Sequence, residues 1–243
     1  MVSANTVVED EEEIKRLIAK VNRMLYMEGH VGYSGHVSMR HPDDDIVYIN
    51  ARKASRGEVL PEDVVAIDLE NEPIDPDEPS PPSESEIHTS VYRNRDDVTA
   101  CLHTHPETLT LYSITGTDLQ PVSQRGSILA EGRVPLLDRP GKITGRKHSD
   151  RMLETMGEQN QLLIKNHGAV VCDETIVRAF TRAIYLEKNA EMQRSASELG
   201  TPNPMSQEQV ERVYEGNWTE SSIEKFWRFY EWKAEENGYF PSE

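Results

Sequence analysis

The sequence predicts one α/β domain whose mostly antiparallel sheet lies between helices, and three observations carry that prediction. Apolar residues recur at helical steps in some segments and form short β-branched runs in others. From residue 84 onward the two kinds of segment alternate. No internal repeat and no break in composition divides the 243 residues. A chain of this length can bury roughly 70% of its unfolded surface, enough for a core without disulfide staples. No long segment lacks Leu, Ile and Val, which excludes global disorder.

Residues 1–9 read as a loose leader. From Asp10 the steps Ile14, Leu17, Ile18, Val21 and Leu25 mark one buried face of a helix, and the acids from Glu9 to Glu13 complement its dipole. Gly29 and Gly32 end it, and residues 32–38 turn into a strand. Ile46–Ile49 and Val64–Ile67 are the next strands, and the proline-rich acidic stretch 71–83 is a long loop. Ser83, with Glu86 three residues on, predicts a capping box for a helix over 84–94. Residues 98–105 read as a strand stopped by Pro106, 108–113 as a short helix and 134–137 as a short strand. Ser149 is the expected cap of a helix reaching Met156. Residues 161–165 form an apolar strand that enters Asn166-His167-Gly168. Thr175 caps a long helix with Val177, Phe180, Ile184 and Glu187 on one side. Helices over 206–214 and 220–237 close the chain. The organisation expected is a leader over 1–9, a main domain over 10–200 and a helical extension of the same domain over 201–243.

The formal net charge is −17, from 26 Lys and Arg against 43 Asp and Glu. That balance argues against nucleic acid or an anionic membrane surface as partner, because both would be repelled. The acids are dispersed along the whole chain, as on the solvated surface of a salt-adapted, halophilic protein. No segment approaches the roughly 20 apolar residues of a membrane span, and the first residues lack the charged and apolar regions of a signal peptide. Two cysteines, Cys101 and Cys172, point to a reducing cytoplasm rather than to a disulfide framework.

His103-Thr104-His105 is the first candidate for chemistry, because residues two apart on a strand project from one face and both imidazoles can reach one ion. The alternative is a structural or surface pair. His167, beside Gly168, offers a third imidazole, and three histidines with an open fourth position make the catalytic type of zinc site. By itself His167 also reads as a turn histidine bonded to backbone. Glu84 is the candidate general acid or base, against the plainer reading of a solvated carboxylate at a helix start. His88 shares a helix face with Glu84 and suits a structural hydrogen bond. Cys101 suits a buried apolar position. Of the remaining histidines, His36, flanked by Ser34 and Ser38 after a glycine turn, is the one placed to join a site.

Pro82-Ser83-Glu84, His88, Arg95, His103-Thr104-His105-Pro106 and Asn166-His167-Gly168, in that order and at those gaps, resemble the class II aldolase/adducin family. The resemblance runs from about Ile14 to Leu199, and residues 32–38 resemble the family's Gly-Thr-Ser-Gly-Asn-Val-Ser turn. It implies a three-layer α/β/α domain with a central, mainly antiparallel sheet. It also implies a site in which His103, His105 and His167 hold zinc, or another divalent cation such as manganese, with Glu84 as catalytic acid/base. The family's enzymes are commonly fourfold-symmetric tetramers with sites at subunit interfaces, so a homotetramer is expected, with Tyr214, Tyr230 and Tyr239 as candidate proton donors from the tail. The substrate-binding set that follows is Ser34, His36, Arg52, Lys53 and Ser83.

Departures from the family pattern bear on the substrate. His36 stands where the family's sugar-phosphate aldolases carry Asn, and Pro82-Ser83-Glu84 has one serine fewer than their Pro-Ser-Ser-Glu. The short phosphate turn is replaced by residues 50–57, which bring Arg52, Lys53 and Arg56, read either as a solvated basic turn or as an anion-holding loop. The tyrosine donor of some aldolases falls near Gln124. The expected function is a metal-dependent lyase that cleaves a C–C bond of a small oxygenated substrate through an enediolate. Decarboxylation of a hydroxy or hydroxy-aromatic acid on the same site is the alternative, and a non-catalytic adducin-like binding module is the third reading.

Overall fold

The computed structural model describes residues 3–240; the first two residues of the expected leader and the last three of the expected C-terminal extension lie outside them. Seven strands form one sheet: β1 (His36–Arg40), β2 (Ile46–Asn50), β3 (Val64–Asp68), β4 (Ala100–Thr104), β5 (Leu136–Leu137), β6 (Gln161–Ile164) and β7 (Gly168–Asp173). Their order is β3-β2-β1-β4-β7-β6-β5, and every pairing is antiparallel except β5 with β6. Helices α1 (Glu11–Met27), α3 (Glu107–Thr115), α5 (Ile176–Leu199) and α7 (Glu220–Glu236) build the apolar core on one face. Helices α2 (Glu86–Asn94) and α4 (Arg146–Met156) enclose a second core on the other, giving the three layers. Helix α6 (Gln207–Asn217) packs beside a 3-10 segment, Gln124–Glu131.

Caps explain several boundaries. Asp10 accepts from the Glu13 amide at the start of α1, Thr175 from Arg178 at α5, and Ser206 forms a capping box with Gln209 at α6. Helix α3 begins at Pro106 with no side-chain cap of its own. The Glu187 carboxylate of α5 takes that role, accepting from the Thr108 and Leu109 amides at 2.8 and 2.9 Å. Within the segment read as a leader, Ala4 is buried and its carbonyl accepts from the Thr175 hydroxyl at 2.7 Å, which ties this stretch to α5.

The expected Ser83–Glu86 capping box does not form. Residues 83–85 make a turn, α2 starts after Ser85, and buried Glu86 instead accepts from Asn71, Arg93 and Ser149 at 2.5–2.7 Å. Ser149 therefore donates from within α4, which begins three residues before it. Strand β7 and the 3-10 segment are elements that the sequence reading did not separate. Strand β4 ends at Thr104, so His105 lies just beyond it, anchored by its amide to the His30 carbonyl at 2.7 Å.

Two polar networks lie within the layers. Arg182 of α5 is 1% exposed and donates to Asp173 at 2.7 Å, Gln161 at 2.9 Å and Glu131, whose carboxylate also receives the Tyr214 hydroxyl. On the opposite face the Ser38 hydroxyl lies 2.7 Å from both His88 Nδ1 and Tyr92 Oη. Burial pushes the His88 imidazole down from 6.5 to about 3.

Two outcomes follow. Arg182→Met leaves buried Asp173 without its counter-charge and should cost about 3–5 kcal/mol in urea unfolding. His88 is held neutral in the fold but protonates near pH 6.5 when unfolded, so its contribution is complete above that pH and is lost as pH falls toward 3. His88→Gln should therefore flatten the loss of stability between pH 6.5 and 4 by up to about 1.4 kcal/mol per pH unit.

Candidate metal centre and its cleft

Antiparallel registration assembles the site. His36 pairs with His103 across β1 and β4, and Thr104 pairs with Ala169 across β4 and β7. The hairpin between β6 and β7 carries Asn166 in the left-handed region (φ 56°), a conformation that Asn tolerates, and turns His167 back toward His105. Gly168 makes the approach possible: a Cβ there would lie 2.2 Å from the Thr104 carbonyl oxygen. Gly35 does the same on the other flank, with φ 111° and no room for a side chain against Val31.

The three imidazoles converge, with ring centroids 4.7 Å apart for His103 and His105, 4.9 Å for His103 and His167, and 5.1 Å for His105 and His167. One ligand atom from each lies within 4.8 Å of the others. His103 Nδ1 lies 3.0 Å from the Ala169 carbonyl, which can only accept, so the proton sits on Nδ1 and the buried Nε2 keeps its lone pair with no partner. His105 Nδ1 lies 3.2 Å from the Ser34 hydroxyl. His167 Nδ1 is buried without a partner. Burial, reinforced by the neighbouring imidazoles, holds His103 well below the usual histidine range and brings His105 to about 4. Mutually close imidazoles with buried, unpartnered ring nitrogens on His103 and His167 are the donor set that a borderline divalent cation takes, so these residues fit such an ion.

Glu84 stands beside them. It is 5% exposed, its Oε1 accepts from the Ile143 amide at 2.9 Å, and its Oε2 lies 3.8 Å from His167 Nε2. The amide fixes one oxygen and aims the other at the histidines. A cleft of about 500 Å³ opens over this group, lined by Tyr33, Ser34, His36, Arg52, Arg56, Ser83, Glu84, His105, Lys142 and His167 among others.

Most of the expected substrate-side residues thus meet in one cleft: Ser34, His36, Arg52 and Ser83. Lys53 does not; it is exposed and outside the lining, because the turn over 51–54 points it to solvent. Arg56 lines the cleft but is 3% exposed, with its guanidinium donating to the carbonyls of Gly35, Ala51 and Ala54. Lys142 and the Ile143 amide were not legible as site groups, since nothing in their local pattern marks them. Of the tail tyrosines, Tyr214 is bonded to Glu131, Tyr230 is buried in the apolar core and Tyr239 packs on Tyr26, so none lines this chain's own cleft. Gln124 lies in the 3-10 segment, beside a separate depression with Tyr185 and Phe226.

Comparison with known proteins agrees with this geometry. A 5-deoxy-D-ribulose 1-phosphate aldolase of Bacillus thuringiensis serovar kurstaki is 28% identical over 205 residues, covering 84% of this chain and 94% of its own. A 3,4-dihydroxyphthalate decarboxylase of Arthrobacter keyseri is 26% identical over 197 residues, covering 76% and 79%. An aldolase II superfamily protein from Pseudomonas syringae superposes with a TM-score of 0.84 at 21% identity, over 96% of each chain, which shows the shared fold. No helix among the described residues is long and apolar enough to cross a membrane. The Class II Aldolase and Adducin N-terminal domain family matches residues 16–194, and with its motifs gathered at one cleft the chain belongs to that family.

Proposed function

We propose that this protein is a divalent-metal-dependent lyase that cleaves a carbon–carbon bond of a small oxygenated substrate, with aldol-type cleavage of a sugar phosphate or hydroxy-ketone as the first reading. One observation carries it: three imidazoles converge beside a buried carboxylate whose orientation is fixed by a backbone amide. His103, His105 and His167 would hold a divalent ion such as zinc or manganese, which would supply Lewis acidity for negative charge on a substrate oxygen. Glu84 takes the proton from the reacting hydroxyl or carbon and returns it, with Oε1 occupied by the Ile143 amide and Oε2 free for the transfer. Ser34 orients the His105 ring, and His36 and Ser83 contribute polar groups to the wall. Burial of His103 within β4 strengthens its charge interactions at the reacting atoms.

Decarboxylation of a hydroxy or hydroxy-aromatic acid is the second reading, favoured by the cations Arg52 and Lys142 on the cleft and by the relative named as a decarboxylase. Both reactions leave an electron pair on the carbon next to a polarised oxygen. The family resemblance further supports a homotetramer with clefts near subunit boundaries, and the dispersed acidic surface suits a salt-adapted cytoplasmic setting.

Purified protein should carry about one divalent ion per chain, and His103→Ala should lose it while circular dichroism stays that of the folded parent; a metal-free parent defeats the site and leaves the binding-module reading. A screen of phosphorylated keto-sugars against hydroxy-aromatic acids should identify the substrate class. In that assay Glu84→Gln should lower kcat by about 10²–10⁴ with metal retained, and unchanged turnover removes Glu84 from its role.

A further inference from the structure

The cleft holds three cations, Arg52, Arg56 and Lys142, in a chain whose net charge is −17. Among the described residues none of the three enters an ion pair within 4.0 Å, although acids outnumber bases. Leaving positive charge unpaired on one concave wall of an acidic protein lowers the local repulsion toward an anion. The three are not equivalent. Arg56 is consumed by backbone carbonyls and acts as a clamp on the loop over 51–57. Arg52 and Lys142 are exposed, with head groups available to a ligand.

Lys142 has a position that Arg52 lacks. Its carbonyl accepts from the Arg139 guanidinium at 3.0 Å, and the next residue, Ile143, is 0% exposed within the apolar core against α2 and α4. The backbone at Lys142 is thus held on both sides while its side chain reaches the cleft. There Nζ donates to the Ser83 hydroxyl at 3.4 Å, and Ser83 directly precedes Glu84. The adjoining amide of Ile143 is the group that orients Glu84. One short loop therefore presents an ammonium to the cleft and, one residue later, fixes the carboxylate. An ammonium supplies three donors without the rigid fork of Arg, which suits an oxyanion approached from one side.

We propose that Lys142 is the specificity-determining contact for the oxyanion end of the substrate, a phosphate or carboxylate group held between Lys142, Ser83 and Arg52. This rests on the lyase reading, because it names the end of the substrate remote from the bond that breaks. The loop then sets the distance between that end and Glu84, so a substrate without the anionic group loses both affinity and register.

The metal-loaded full chain is titrated at low salt by calorimetry with inorganic phosphate and, separately, with benzoate. Whichever probe binds identifies the oxyanion chemistry, and Lys142→Met should weaken that binding about tenfold or more, the loss of one charge-assisted contact. Lys147→Met, which removes an equal charge from the exposed side of α4, should leave the affinity within about twofold of the parent, as expected for a screened surface charge. With substrate, Lys142→Met should raise KM far more than it lowers kcat, and Lys142→Arg should restore part of the loss. Parent-like affinity in Lys142→Met, an equal loss in Lys147→Met, or no binding of either probe to the parent overturns the proposal. The titration needs no turnover, so failure of the lyase reading shows separately, as a metal-free parent or as no C–C cleavage.

Discussion

The approach of β7 to the end of β4 is the constraint on which the site depends. Two of the histidines come from one side of that junction and the third from the other, and the gap closes only because residue 168 has no side chain. A methyl group at 168 would meet the Thr104 carbonyl at 2.2 Å and push the 166–168 turn outward. His167 would move with it, and the convergence of the three rings would be lost before any ligand residue had changed. The left-handed Asn166 is part of the same geometry, since it reverses the chain within two residues of β6.

Burial then sets the chemistry of the rings. Imidazoles exposed to water would be partly protonated near neutral pH and would repel a cation. Here burial and the neighbouring rings lower His103 and His105 and so favour their uncharged forms, and the hydrogen bond from His103 to Ala169 fixes which nitrogen is free. The second histidine group, His36 and His88, lies directly behind, with the His36 ring 5.2 Å from His103 and 5.6 Å from His88. The polar interior is therefore continuous from α2 to the cleft, and the carboxylate facing the histidines, Glu84, is held by a neutral amide rather than by a cationic side chain. The formal surplus of acids stays on the outer surface.

How far the sequence was legible follows from how local each signal is. Helices with a cap and an apolar stripe, such as α1, α5 and α6, can be read because the cause lies within a few residues of the effect. The histidine set was readable from strand parity and, for its assembly, from the family motifs. The capping box at Ser83 misled because Glu86 has stronger partners that are distant in sequence, Ser149 and Asn71. Strand β7 carries no expectation from the sequence, which is read as a strand over 161–165, the 166–168 turn and then the Thr175 cap, although β7 follows β6 after three residues. Lys142 and the Ile143 amide could not be found at all: their role comes from a loop that returns to Glu84 from 59 residues away.

The proline-rich acidic stretch over 71–83 has a further consequence for the sheet. β3 is an outer strand, and the chain folds back along it: the Ile74 amide reaches the Ala66 carbonyl, the Asp68 amide reaches Glu72, and the Ala66 amide is taken by Glu78. The edge is filled by a segment that prolines prevent from becoming a regular strand and that carboxylates make repulsive to its own kind. The opposite edge, β5, is only two residues long. A sheet finished in this way offers no template for strand-by-strand aggregation, so any assembly of this protein must use helix and loop surfaces instead.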